Sequence, residues 1–143
     1  MYIPLYLPGP FAMRSFFWVN GTSINASNIQ MCIRTIGNIG TGSTILVQST
    51  ATNQGTASAL QIVALPGTPP TTIPAGSYWL GIGSANAGST FSARSGALQI
   101  LTRLGYSGSA TVLGVPSGVQ SATQIVPFCG ISRWDGTSSG QVY

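Results

Sequence analysis

The chain has 143 residues and a formal net charge of +4, yet only 4% of it is charged. All basic residues are arginines (Arg14, Arg34, Arg94, Arg103 and Arg133), Asp135 is the single acid, and Lys, Glu and His are absent. General acid–base catalysis, a Ser-His-Asp triad, a four-ligand zinc site and a Walker phosphate loop each need side chains this inventory lacks, so it argues against an enzyme and names no catalytic, metal or cofactor residue.

The hydrophobic fraction of 43% is enough for one core at this length. The opening Met1–Pro8 is apolar but broken by prolines and has no basic start, which argues against a signal peptide. It reads instead as an extended N-terminal arm over residues 1–10. Downstream the hydrophobic period is 2 rather than 3.6. Phe11, Met13, Phe17 and Val19 form one candidate strand face, and Asn20-Gly21 is a strong turn signal. Ile29, Met31 and Ile33 alternate with Gln30, Cys32 and Arg34. Turn residues at 37–42 separate this run from Ser43–Thr50, and Asn53-Gln54-Gly55 precedes Ala57–Leu65. There, Leu60, Ile62 and Ala64 alternate with Gln61 and Val63.

After a Pro-Gly break, Pro74-Ala75-Gly76 reads as a turn feeding Ser77–Ser84, where Tyr78, Leu80 and Ile82 alternate with Trp79, Gly81 and Gly83. Further short strands are expected at Thr90–Arg94, Ala110–Leu113 and Gln124–Ser132, with Ala97–Leu104 open between short helix and loop. The stretch from Gly136 to Tyr143 reads as a polar, flexible C-terminal tail. The expectation is a single all-β domain over 1–143: an antiparallel β-sandwich, jelly-roll-like, of about eight short strands.

No apolar run approaches the length of a membrane-spanning helix, and the runs are too short and broken for a membrane barrel. The arginines are isolated rather than clustered, which argues against nucleic acid and suits local hydrogen bonds or an acidic partner at an interface. Gly81-x-Gly83 followed by Gly88 lacks dinucleotide-loop spacing and reads as a strand with small outward residues that allow close approach. Trp18 and Trp79 fall opposite the expected core sets. With Trp134, they are candidates for contact surfaces, against the plain alternative that both faces are covered and the rings buried. Tyr2 and Arg94 complete the candidate interface set. Cys32 and Cys129 read as free thiols, with a disulfide as the alternative if the fold joins their strands. The sequons at Asn20 and Asn25 are chance-level in so Ser/Thr-rich a chain.

Certain blocks resemble a β-sandwich domain of tailed-bacteriophage virion proteins. They are Tyr2-Ile3-Pro4-Leu5, Phe16-Phe17-Trp18-Val19-Asn20-Gly21, Asn28-Ile29-Gln30-Met31-Cys32-Ile33 and Ser43–Thr52 with Leu60-Gln61-Ile62-Val63. The clearest is Ile73-Pro74-Ala75-Gly76-Ser77-Tyr78-Trp79-Leu80, and Thr90-Phe91 and Val126-Pro127-Phe128-Cys129-Gly130-Ile131 continue the pattern. The chain departs from that family at Arg34-Thr35, where a Tyr-Asp turn is usual, and lacks its charges. The resemblance implies a virion component made in the host cytoplasm. The leading expectation is a capsid decoration or cement protein on the outer surface of the phage head. It would act as a trimer or dimer and bridge the major capsid protein or neighbouring virion proteins. The alternative is a tail or fibre component, such as a module that recognises a host glycan.

Overall fold

The computed structural model of the chain describes residues 1–24, 28–36, 43–66, 71–85, 89–95, 105–106, 118–119, 125–133 and 141–142, and every regular element among them is a β-strand. The front sheet has the order β1 (Tyr2–Leu7), β8 (Gly76–Ser84), β3 (Asn28–Thr35), β4 (Ile45–Gln48), with β5 (Thr52–Asn53) also on β3. The back sheet has the order β14 (Gln141–Val142), β13 (Cys129–Arg133), β2 (Phe11–Val19), β6 (Leu60–Ala64), with β7 (Thr71–Ile73) also on β2. All pairings are antiparallel. Two small ribbons complete the description: β9 (Ala93–Ser95) with β12 (Ile125–Pro127), and β10 (Gly105–Tyr106) with β11 (Gly118–Val119).

The topology is a nested ribbon. β3 pairs with β4, β2 with β6, and β1 with β8, so the outer arms enclose the inner hairpin. Successive pairs alternate between front and back sheets, which is the wrapping that defines a jelly roll. β4 and β5 lie in tandem along β3, and β6 and β7 lie in tandem along β2. Each five-stranded sheet is thus four strands wide. Ser49 bridges the gap between β4 and β5, donating its N–H to the Met31 carbonyl at 2.8 Å while its hydroxyl accepts from Met31 N–H at 3.0 Å.

The core lies between the sheets. Ile29, Met31 and Ile33 of β3 meet Met13, Phe16 and Trp18 of β2, all 0% exposed, with Tyr78, Leu80 and Ile82 of β8 beside them. The expected β3 and β8 faces are therefore the buried ones. The expected β6 face is not. Of the expected β2 face, Met13 is buried and Phe11 packs on the core, while Phe17 and Val19 do neither. On β13, Ser132 pairs with Ser15 and Arg133 with Met13, so Arg14 is an extra residue in β2. This bulge switches the side-chain parity. Met13 faces the core before it, Phe16 and Trp18 after it, and Phe17 and Val19 turn outward. β6 follows β2 in register, so Val63 and Leu65 are buried while Leu60 and Ile62 are exposed.

Asn20-Gly21 is not a hairpin turn. Asn20 is 0% exposed and ties three chain segments together. Its Oδ1 accepts from Trp18 Nε1 at 2.8 Å, its Nδ2 donates to the carbonyls of Gln54 and Thr56, and its own carbonyl accepts from Ser92 Oγ at 2.8 Å. A buried indole N–H needs such a partner, and Asn20 supplies it. Gly21 is obligatory: a Cβ there would stand 2.9 Å from the Thr90 carbonyl carbon. Residues 1–10, expected as an extended arm, include β1 in the front sheet. Within the expected tail, Gln141 and Val142 pair with Arg133 and Ser132. The expectations for Ala97–Leu104 and Ala110–Leu113 lie outside the described residues.

Candidate functional site: the two outer faces of the sandwich

Sandwich strands place alternate side chains outward, and the two sheets use that freedom differently. On the front face the register sets Pro4, Trp79, Arg34 and Ile45 in one row, and Tyr2, Gly81, Cys32 and Gln48 in the next. Tyr2 (2% exposed), Cys32 (0%) and Arg34 (7%) are buried although they point away from the sandwich core, whereas Trp79 is half-buried. Tyr2 lies over Gly81: a Cβ on that glycine would stand 2.6 Å from Tyr2 Cε1 and 2.8 Å from Cys32 Sγ. Only glycine fits between them.

Burial governs the ionisation of this face. It pushes the Cys32 thiol up to about 11, a rise that the Arg34 guanidinium opposes, and it pushes the Tyr2 phenol up to about 12. Cys32 is therefore protonated at neutral pH and is not a nucleophile there. Cys129 lies on the other sheet, opposite Trp18, and burial raises its thiol to about 12. The two cysteines are free and unpaired with each other.

On the back face, Phe128, Val19 and Leu60 make one row, and Gly130, Phe17 and Ile62 the next. None carries a charge. Phe128 and Leu60 are each 51% exposed and Ile62 48%. Phe17 lies over Gly130, whose notional Cβ would stand 2.6 Å from the ring's Cζ. Large apolar residues gathered across three strands differ from scattered exposed ones, because contiguous patches mark contact surfaces. A third feature is the seam between β1 and β13, an apolar groove of about 360 Å³ lined by Ile3, Leu5, Leu7, Phe11, Cys129 and Ile131.

Of the candidate interface residues, Tyr2 and Trp79 come together on the front face. Trp18 is in the core, bonded to Asn20, because the Arg14 bulge turns it inward. Arg94 sits in β9, its backbone paired with Val126. Trp134 lies outside the described residues. Leu60, Ile62, Phe17 and Phe128 are the surface features that strand periodicity missed, whereas Arg34, set opposite Met31 and Ile33 by its alternation, is buried. Among the described residues no three His, Cys, Asp or Glu side chains gather to hold a metal. Compared with protein-family models, with curated proteins and with solved structures, the chain finds no match in any of the three.

Proposed function

We propose that the chain is a non-enzymatic structural subunit of a virion: a decoration or cement protein that bridges capsid subunits on the outside of a tailed-phage head, working as a trimer or dimer. The observation that carries this reading is the uncharged apolar back face formed by Phe128, Val19, Leu60, Phe17 and Ile62. Such a face contributes about 25 cal/mol per Å² when a neighbour covers it, before association costs are subtracted. An apolar face of this kind suits symmetric contacts between copies. The virion setting rests on the sequence blocks that resemble phage β-sandwich domains.

The test is the copy number of the protein in purified particles, by quantitative mass spectrometry. Hundreds of copies per particle, lost when Ile62→Asp replaces the wild type, is the expected result; a handful overturns the cement role. Half-buried Trp79, set between Pro4 and Arg34, favours the glycan-binding tail module as the second reading. Glycan-array binding abolished by Trp79→Ala is the result that would select it.

A further inference from the structure

Arg34 is a charged side chain without a counter-charge among the described residues. It is 7% exposed, and its Nε and Nη1 are buried with no hydrogen-bond partner. A guanidinium stays protonated under all ordinary conditions, so it cannot escape burial by losing its charge. Leaving its donors unmet in a low-dielectric site is among the costliest arrangements a fold can hold. Near it by register is a second orphan. Thr35 pairs with Thr44 through N–H to carbonyl at 2.9 Å, which puts Ser43 on the same side of the hairpin as Ile45, the partner of Arg34. The Ser43 hydroxyl is likewise buried and unpartnered. Half-buried Trp79 and Ile45 flank the guanidinium across the two neighbouring strands.

We infer that Arg34 is the seat of a carboxylate supplied by an acidic protein partner, with the Ser43 hydroxyl as a further donor. Three observations select this ligand. Arg34 is the only charged side chain on the strands of the front sheet, and the Met1 ammonium beside that sheet already donates to the Ile82 carbonyl at 2.7 Å, so a monoanion suits the arginine better than a phosphate dianion. A planar carboxylate fits the guanidinium fork, and an O–H donor adds to it. The chain has five Lys and Arg against one Asp or Glu, so a second copy brings the same shortage of acids. No Asp or Glu stands among the described residues, so the anion is assigned to a different molecule. The site itself stands apart from the proposed cement role; only the nature of the partner as an assembly neighbour rests on that reading.

The test follows the Arg34 Nε–Hε resonance by NMR in the full chain at constant ionic strength. Acetate is expected to shift it saturably, inorganic phosphate to shift it less, and hexaglutamate to bind at least about tenfold tighter than acetate through its higher local carboxylate concentration. No saturable response to acetate overturns the proposal. Equal affinity for phosphate overturns the carboxylate assignment, and equal affinity for acetate and hexaglutamate overturns the protein partner. A change in this resonance in Asp135→Asn without added ligand also overturns it, because the counter-charge would then be internal. In plain buffer Arg34→Met should raise Tm by a few degrees by removing an uncompensated buried charge, while abolishing the Tm gain that acetate gives the wild type. A lower Tm in Arg34→Met that Arg34→Lys restores, with no acetate effect on the wild type, marks a purely structural arginine and overturns the proposal. None of these readouts uses particles, so failure here leaves the copy-number test standing.

Discussion

Both outer faces of the sandwich lay an aromatic ring over a glycine of the neighbouring strand, Tyr2 over Gly81 in front and Phe17 over Gly130 behind. The device is shared because a ring crossing a sheet needs a position without a side chain. What surrounds it differs. In front the ring is buried beside a thiol and a guanidinium, and the polar groups are enclosed. Behind, the ring is only half-buried among exposed Leu60, Ile62 and Phe128. The front sheet buries a phenol and a thiol on its outer side, whereas the rows around Phe17 on the back sheet are open and apolar. The first arrangement is therefore sensitive to ionisation and the second to contact.

The contrast can be broken by experiment. The largest effect should come from alkaline pH. The thiols and phenol that burial raises are neutral in the fold, while in the unfolded chain Cys ionises near 9.0 and Tyr near 10.0. Between pH 9 and about 11 the unfolded chain binds fewer protons than the native one, so stability falls as pH rises. Each thiol contributes at most about 1.4 kcal/mol per pH unit in this window, and the Tyr2 phenol adds a smaller amount above pH 10. Urea melts across this range should show the loss, and Cys32→Ala should remove part of it; a flat profile would mean that the front face is not closed. Next in size is Gly81→Ala, which forces Tyr2 or Cys32 aside and should cost about 1–3 kcal/mol by chemical denaturation. Gly130→Ala presses on a ring that can swing toward solvent and should cost less than about 1 kcal/mol. If the two glycines cost the same, the faces are not packed differently. Smallest for stability is Ile62→Asp, expected within about 0.5 kcal/mol. Its effect should appear instead as lost self-association in sedimentation at high concentration.

Much of this was legible in the alternation of apolar residues. The all-β class, the antiparallel sandwich and the buried faces of β3 and β8 follow from period 2 and from turn residues. The two outer faces followed less well, for local reasons. A single extra residue at Arg14 reverses the parity of β2, and nothing in the order Met13-Arg14-Ser15-Phe16 announces it. β6 inherits its orientation from β2 through cross-strand register, so Leu60 and Ile62, which alternate like core residues, face outward. Asn20-Gly21 has the composition of a turn, but its amide meets the Trp18 indole and carbonyls more than thirty residues away. Tyr2 and Trp79 share a face because β1 and β8 pair, a contact that no local pattern encodes.

The nested ribbon also fixes the order in which the chain can be assembled. Its inner hairpin, β3 with β4, closes over a short loop, while β1 must find β8, Tyr2 meeting Gly81. Loop-closure entropy and contact order favour zippering from the inside outward. Of the three nested pairs, β1 with β8 spans the longest stretch of chain, so β1 is the last of the three to be paired and stays an unpaired apolar strand until β8 is made. Pro4 at its middle has no N–H to offer a foreign strand, which protects that interval from misassociation.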